Sequence, residues 1–287
     1  MNAALRSHPV ADPTCALQIR GLRKHFETFT LDGIDLDVPR GYVVGLVGAN
    51  GSGKTTTIGA AIGTVVPDEG HIAMPPMDRV GVVLDTPYFL PDWTPVAIER
   101  AVRPFYSAWS PGRYRSLLAR LGVPTGSQLT DMSRGAGMKL QLAVALAHDP
   151  ELLLLDEPTS GLDPLARDEF VDLIAEFVQD EGHGVVFSTH ITSDLERIAD
   201  YVAVLDRGRL LTSAPTQELL AGYRLVRGGP DDLTDAMRAS IYGLREHGAG
   251  FEGLALAHEA DGWRGGLVRE QPTLDQIVVG VAKGRRS

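Results

Sequence analysis

Residues 48–55 have the sequence GANGSGKT, and this glycine-rich segment limits the folds that the chain can adopt. It matches every fixed position of the pattern G-x-x-x-x-G-K-[ST]; an apolar run at 42–47 precedes it and a helical stretch at 55–63 follows. In such a unit the glycines let backbone N–H groups approach phosphate oxygens, and the helix N-terminus points its positive end at them. Lys54 can bind the β- and γ-phosphates, and the Thr55 hydroxyl can bind Mg²⁺. The predicted phosphate-binding loop consists of Gly48, Ala49, Asn50, Gly51, Ser52, Gly53, Lys54, Thr55 and Thr56.

Two acidic residues, Asp156 and Glu157, directly follow an apolar run at 152–155. Such a run is typical of a strand buried on both faces, and ligands of open α/β sheets bind beyond the carboxyl ends of the strands. We expect Asp156 to orient Mg²⁺, usually through a water, and Glu157 to polarise an attacking water. The alternative is a strand end that merely becomes polar in a turn.

Strand-like and helix-like segments alternate in the second half of the chain. Strands are predicted at 152–155, 185–188 and 201–205, with helices between them at 164–179 and 193–198. This alternation favours parallel strands joined by helical crossovers, and therefore an α/β fold.

The flanking segments have a different character. Residues 92–148 are mostly helical in pattern, and the sequence after Pro215 is weakly patterned and rich in glycine, with one helix candidate at 273–283. We therefore expect a helical subdomain within the main domain and a small structure after it. The predicted parts are a flexible N-terminal tail at 1–14, a main domain at 15–220 with its helical subdomain at about 88–150, and a small α+β appendage at 221–287.

Composition excludes several classes of protein. The formal net charge of -10 makes the chain a poor binder of nucleic-acid phosphates, and a single cysteine excludes a disulfide framework or a Cys-rich zinc site. No apolar run approaches the ~18 to 20 residues needed to cross a bilayer, and the N-terminus lacks the apolar core of a secretory signal. We expect a soluble, cytoplasmic protein whose membrane-spanning partner, if one exists, is a separate chain.

Three further segments carry a resemblance to a known family. Residues 156–164 (DEPTSGLDP) resemble the second phosphate site and D-loop of ABC ATPases, residues 132–136 (MSRGA) stand in the place of the signature L-S-G-G-Q, and residues 188–190 (STH) are similar to the switch histidine. Their order and spacing fit over residues 17–215. The resemblance implies a P-loop NTPase of ABC type, with a mostly parallel core sheet, an antiparallel β part, a helical subdomain and a small C-terminal appendage.

The signature segment departs from the family pattern. Met132, Arg134 and Ala136 replace Leu, Gly and Gln, whereas Ser133 and Gly135 are retained. The resemblance implies that the two retained residues meet the γ-phosphate. An S-[RK]-G form followed by Met-Lys-Leu resembles the ATP-binding subunits of a bacterial exporter-like branch that includes bacitracin-resistance-type transporters.

A second departure is Asp85, which stands where the family usually has the glutamine of the Q-loop. The resemblance implies that this position lies close to Mg²⁺. A carboxylate can still reach the ion, but it adds negative charge and is one methylene shorter. The alternative is an ordinary loop residue.

The remaining site residues are assigned by the resemblance alone. Phe26 resembles the aromatic that stacks on adenine, with a core aromatic as the alternative; His190 resembles the residue that holds a γ-phosphate oxygen, with a structural hydrogen-bonder as the alternative. The predicted catalytic residues are Glu157 and His190. Beyond the phosphate-binding loop, the predicted ATP-binding residues are Phe26, Asp85, Ser133, Gly135 and Asp163. The predicted Mg²⁺ ligands are Thr55, Asp85 and Asp156.

The resemblance also implies a function and its partners. It implies an ATP-hydrolysing subunit that powers an ABC transporter through ATP-driven dimerisation, with ATP and Mg²⁺ enclosed between two ATPase chains. Analogy with the family favours export as the direction. The expected partners are a second copy or a homologous ATPase subunit and polytopic membrane permeases, without nucleic acid, at the inner face of the cell membrane. Two alternatives remain: a soluble ABC ATPase not tied to transport, and an ATP-sensing regulatory binder with little turnover.

Overall fold

The structure, a computed structural model, describes residues 12–284. The predicted flexible tail at 1–14 therefore lies outside the described residues except for its last three positions.

The elements follow one another along the whole described chain. The strands are β1 (Cys15–His25), β2 (Thr30–Pro39), β3 (Tyr42–Val47), β4 (Glu69–Ala73), β5 (Val80–Val83), β6 (Leu152–Asp156), β7 (Gly184–Thr189), β8 (Tyr201–Asp206), β9 (Arg209–Pro215), β10 (Tyr223–Gly228), β11 (Tyr242–His247), β12 (Gly250–Leu256) and β13 (Val268–Glu270). The α-helices are α1 (Lys54–Ala61), α2 (Pro95–Val102), α3 (Pro111–Arg120), α4 (Arg134–Ala147), α5 (Pro164–Val178), α6 (Thr192–Ile198), α7 (Thr216–Gly222), α8 (Asp235–Ser240), α9 (Ala257–Ala260) and α10 (Leu274–Lys283).

The core sheet has the strand order β5-β6-β7-β3-β8-β9. Neighbours from β5 to β8 pair in parallel, and β9 pairs antiparallel with β8. Asp156 at the end of β6 is in register with Ser188 of β7, and Val47 at the end of β3 is in register with Thr189. The carboxyl ends of β6, β7 and β3 therefore lie side by side, which places the residues that follow them at one edge of the sheet.

Different layers cover the two faces of this sheet. On one face Leu152 and Leu154 pack in one apolar cluster with Ile19 of the antiparallel sheet β2-β1-β4. On the other face Leu153 and Leu155 pack in the cluster that contains the helices. Successive side chains of a strand point to opposite faces, so a strand covered on both sides must be apolar throughout. The predicted mostly parallel α/β core with an antiparallel part is confirmed.

The helical subdomain contains α2, α3 and α4. Thr94 and Ser110 cap α2 and α3 through hydrogen bonds from the backbone amides of Ala97 and Arg113, and each cap is followed by a proline in the first turn. Proline suits that position because its missing N–H would have no partner there. Helix α4 packs against both α3 and β5, and so joins the subdomain to the edge of the core sheet.

Gln141 connects α4 to the end of β5 and is 0% exposed. Its Oε1 accepts a hydrogen bond from the Leu84 amide at 3.1 Å, and its Nε2 donates to the Leu84 carbonyl at 2.9 Å. These two bonds fix the backbone immediately before Asp85.

Replacing Gln141 by leucine should lower the free energy of unfolding by about 2–4 kcal/mol, because both polar groups of Leu84 lose their partner in a buried place. Urea denaturation followed by circular dichroism measures the change. Gln217 is a suitable control because it is exposed on α7, and its replacement by leucine should change stability by less than about 0.5 kcal/mol. A Gln141 variant as stable as the wild type would contradict the structural role of these bonds.

The C-terminal appendage is a four-stranded antiparallel sheet of order β11-β12-β10-β13, with α8, α9 and α10. Helix α10 falls where the sequence predicts the last helix, but the four strands are not evident from the weak patterning. Leu274 and Ile277 of α10 are fully buried in the cluster that also covers the core sheet, and the Leu274 amide donates to Glu196 Oε1 of α6 at 2.7 Å. The appendage is therefore packed on the main domain through α10 and α6.

Candidate functional site

A cleft of about 820 Å³ opens at the carboxyl edge of the core sheet. It is bounded by the turn before β2, the loop between β3 and α1, the end of β5 and the end of β6. The predicted site residues that line it are Asn50, Gly51, Gly53, Lys54, Thr55, Thr56, Asp85, Asp156 and Glu157. Thr28, Phe29, Leu84 and Thr86 also line it, and sequence reasoning did not select them.

The backbone of the loop has the shape of a phosphate cradle. Gly51 and Gly53 have φ of 80° and 115°, which side-chain-bearing residues rarely adopt. A Cβ on Gly48 would lie 2.1 Å from the Leu205 carbonyl oxygen, so only glycine fits there. The buried Ser52 Oγ has no hydrogen-bond partner, and no side chain caps the first turn of α1. Unsatisfied donors at the N-terminus of a helix suit a phosphate group.

Lys54 is buried at the base of the cleft with only 5% of its side chain exposed. Its Nζ donates to the carbonyl oxygens of Gly48 at 2.8 Å and Ala49 at 3.4 Å, and lies 3.2 Å from Glu157 Oε1. The ammonium of the loop and the carboxylate after β6 are thus in direct contact.

Glu157 is held from three sides. Its backbone has a φ of 50°, in the left-handed region that is unusual for a residue with a side chain. Its amide donates to the Ser188 carbonyl oxygen at 3.0 Å, and its Oε2 is hydrogen-bonded to His190 Nδ1 at 2.7 Å. The structure therefore brings both predicted catalytic residues together with Lys54 in the row Lys54–Glu157–His190. Backbone strain at a cleft residue is a common feature of functional sites.

The donor set for a metal ion is small. Asp156 is 1% exposed, and its Oδ1 accepts a hydrogen bond from Ser188 Oγ at 2.6 Å, which fixes the orientation of the carboxylate. Residues 12–284 contain no group of three His, Cys, Asp or Glu side chains that could hold a metal. Mg²⁺ commonly binds one or two carboxylates together with substrate phosphates and waters. Thr55 and Asp156 therefore fit an Mg²⁺ that binds with a polyphosphate.

Asp85 lines the cleft, and its carboxylate forms an ion pair with Arg134, the first residue of α4. Arg134 Nη2 also donates to Ser160 Oγ at 3.2 Å. This contact was missed in the sequence because Asp85 and Arg134 are 49 residues apart.

Ser133, Gly135 and Asp163 do not line this cleft. Ser133 caps α4 by accepting a hydrogen bond from the Ala136 amide at 3.2 Å, and it lines a neighbouring cavity of about 350 Å³ that shares Asp85 and Thr86 with the cleft. Asp163 caps α5, and the hydrogen bond from the Ala166 amide lowers the pKa of its carboxyl group. Within the described chain, Ser133 and Gly135 thus lie outside the cleft that contains the phosphate-binding loop.

Two aromatic residues lie on the turn between β1 and β2. Phe26 is 39% exposed and has the Lys24 ammonium 5.9 Å above its ring, but Phe29 is the one that lines the cleft. Their ring centroids are 6.2 Å apart. The Phe29 ring is close to the loop, since a Cβ on Gly53 would lie 3.0 Å from Phe29 Cζ. Because the two residues are three positions apart on one turn, the sequence alone does not show which of them lines the cleft.

Comparison with known proteins assigns this arrangement to a class. The sequence pattern described as "ABC transporter" matches residues 31–160, which contain the phosphate-binding loop and both carboxylates after β6. The chain is 33% identical over 257 residues to Nod factor export ATP-binding protein I of Cupriavidus pinatubonensis, covering 83% of this chain and 78% of that protein. The chain therefore belongs to the ABC transporter family, as one of its ATP-binding subunits.

Other relatives carry names of different transport systems. The chain is 34% identical over 240 residues to the nickel import ATP-binding protein NikO of Rhodobacter capsulatus, covering 75% of this chain and 94% of that protein. It is 29% identical over 216 residues to the bacitracin transport ATP-binding protein BcrA of Enterococcus faecalis, covering 71% and 70%. Both import and export occur in the relatives' names, so membership of the family does not define a direction of transport.

Solved structures agree with this assignment. The structure titled "Structure of ATP binding subunit of ABC transporter" superimposes with a TM-score of 0.64 at 26% identity, covering 71% of this chain and 91% of that one. The P-loop fold of ABC type expected from the motifs is therefore confirmed. Among the described residues, no helix combines the length and apolarity required to span a bilayer.

Proposed function

We propose that this chain binds Mg·ATP in the cleft and hydrolyses it to power an ABC transporter, with export as the direction. The observation that carries the proposal is the row Lys54–Glu157–His190 beside the phosphate-binding loop, with contacts of 3.2 and 2.7 Å. A family whose members generally hydrolyse ATP supports the reaction class, and a relative named for export that matches 83% of the chain supports the direction.

Each residue of the row has a part in the reaction. When ATP binds, the γ-phosphate replaces Glu157 as the partner of the Lys54 ammonium. The Glu157 carboxylate is then free to accept a proton from the attacking water. His190 is hydrogen-bonded to the same carboxylate and orients it. Its imidazole would also hold a γ-phosphate oxygen, as the resemblance implies. Mg²⁺ supplied with ATP would neutralise charge on the phosphates, with Thr55, Asp156 and Asp85 as its proposed ligands.

Completion of the site requires a second chain. Ser133 and Gly135 lie at the start of α4, outside the cleft that contains Lys54. If they meet the γ-phosphate, as the resemblance implies, they do so in the site of another copy or of a homologous subunit. The N-terminus of α4 would then add its positive end to that contact, and Asp163, at the start of α5, would lie in the same interface.

The proposed membrane partner is a polytopic permease that binds the helical subdomain at the inner face of the cell membrane. Several large apolar side chains in this region are exposed, which is typical of a surface that binds another protein. They are Tyr88 at 48%, Leu90 at 53%, Val96 at 53% and Phe105 at 78%. By contrast Phe89 is buried, and Trp93 and Trp109 pack against the core. Some aromatic residues of this segment therefore belong to the core, and others belong to the exposed surface.

One observation favours a second function. The Asp85 carboxylate, proposed to reach Mg²⁺, is occupied by Arg134. A chain in which this pair persists with ATP bound would sense the nucleotide with little turnover.

Release of phosphate from ATP by the purified chain, with and without Mg²⁺, tests the proposal. We expect Mg²⁺-dependent turnover and ATP-dependent dimerisation, the latter measured by size-exclusion chromatography with light scattering. Dimerisation with negligible turnover would favour the ATP-sensing function. A chain that shows neither would rule out both.

A further inference from the structure

The ion pair between Asp85 and Arg134 joins two positions that the proposed mechanism treats separately. Asp85 belongs to the wall of the nucleotide cleft, whereas Arg134 opens α4 next to Ser133. Arg134 also donates to Ser160 Oγ at 3.2 Å. One guanidinium therefore connects the segments that leave the neighbouring strands β5 and β6.

The position of Arg134 is constrained by its surroundings. A Cβ on Gly161 would lie 2.9 Å from Arg134 Cδ, so the absence of a side chain at Gly161 makes room for the stem of the arginine. On the other side, the two hydrogen bonds of Gln141 to Leu84 fix the backbone next to Asp85 to the same helix. Helix α4 therefore positions both groups, because it carries Arg134 and, through Gln141, holds the backbone next to Asp85.

The charges in the cleft explain why this contact matters. Three of the residues that line the cleft are acidic, namely Asp85, Asp156 and Glu157, and within that lining Lys54 is the only lysine or arginine. A triphosphate is strongly anionic, so each carboxylate without a cationic partner disfavours its binding. Lys54 is next to Glu157, and Arg134 is next to Asp85.

We propose that Arg134 is a positioning residue for nucleotide entry: it neutralises Asp85 and holds its carboxylate at the wall while the triphosphate enters, and Asp85 turns to Mg²⁺ only afterwards. This inference rests on the proposed function, because it concerns the binding of ATP in the same cleft. It assigns a role within a single chain to a residue of the signature segment.

The exposure of the two side chains distinguishes a role in nucleotide binding from a role in the stability of the fold. The two side chains are 49% and 47% exposed, and ion pairs this exposed contribute little to the stability of a fold. The loss of Arg134 should therefore change ATP affinity while the urea midpoint of unfolding remains nearly constant.

A double-mutant cycle of Arg134→Gln and Asp85→Asn tests the proposal, with ATP affinity measured by calorimetry on the monomer in EDTA and again with Mg²⁺. In EDTA at low salt we expect Arg134→Gln to weaken ATP binding about five-fold, as for an uncompensated charge in partly screened surroundings. In EDTA, where no Mg²⁺ is present for Asp85 to bind, Asp85→Asn alone should bind ATP at least as well as the wild type, and the double variant should return to within about two-fold of the wild-type affinity. Higher salt should reduce the five-fold difference.

Arg120 and Glu176 provide a matched control. They form an ion pair of 2.6 Å with exposures of 49% and 52%, in a different cavity from the cleft. Arg120→Gln should leave ATP affinity unchanged.

Two results would overturn the inference. One is a wild-type affinity for Arg134→Gln. The other is a weakened Arg134→Gln that Asp85→Asn does not restore, because Arg134 would then act on the nucleotide directly or on that of a second copy. A wild-type chain that fails to bind ATP at all would instead refute the proposed function, and this inference with it.

Discussion

Replacement of Glu157 by glutamine should reduce the rate of ATP hydrolysis about a thousand-fold while ATP still binds. Glutamine retains an oxygen to accept the hydrogen bond from His190, but it cannot take a proton from water, and general-base catalysis contributes roughly 10²–10⁴-fold. The left-handed backbone at this position is unaffected by the exchange, so the fold should persist. Phosphate release under single-turnover conditions measures the loss. ATP should also hold the variant as a dimer, because the step that separates the subunits no longer occurs.

Glu151 provides a control at the opposite end of the same strand, β6. It precedes β6 at the end opposite Glu157, and it pairs with Arg40 and Arg79 outside the cleft. Glu151→Gln removes a carboxylate in the same way and should retain turnover within about two-fold. A Glu157 variant that hydrolyses ATP at a rate close to the wild type would show that another group activates the water.

Replacement of Lys54 by methionine should weaken ATP binding at least about a hundred-fold. The ammonium is 5% exposed and already faces two backbone carbonyls at the cradle, so a phosphate would accept hydrogen bonds from a fixed, desolvated cation. A hundred-fold loss corresponds to about 2.7 kcal/mol, within the range for one or two hydrogen bonds to a charged group. Calorimetric titration with ATP in the presence of Mg²⁺ measures the affinity.

Two further variants separate this cause from its alternatives. Lys139 pairs with Glu169 at 3.2 Å on α4 and α5, and Lys139→Met should bind ATP normally because neither residue lines the cleft. The loss of Lys54 also leaves Glu157 without its cation. If Lys54→Met combined with Glu157→Gln regained ATP affinity, the single variant would have failed through repulsion by Glu157, and Lys54 would not be a phosphate ligand.

Local sequence was sufficient for the phosphate-binding loop and the strand before Asp156. The glycines at 48, 51 and 53 require particular backbone angles or close approaches, and an apolar run at 152–155 requires cover on both faces. These constraints act within a few residues, so they can be read from the order of residues alone. The fold class followed for the same reason, because alternating strands and helices allow few arrangements.

Contacts between distant segments needed the tertiary structure. The pairing of Asp85 with Arg134, the choice of Phe29 over Phe26 at the cleft wall, and the four-stranded C-terminal sheet leave no periodic trace in the sequence. The partners of this ion pair are 49 residues apart in the sequence, so their contact depends on how α4 packs against β5. Short strands that contain glycine form only when neighbouring strands supply hydrogen bonds. The sequence therefore determined where the glycine-rich loop lies and which family the chain belongs to. Packing alone decided which charges neutralise one another around it, because that depends on distance in space and not along the chain.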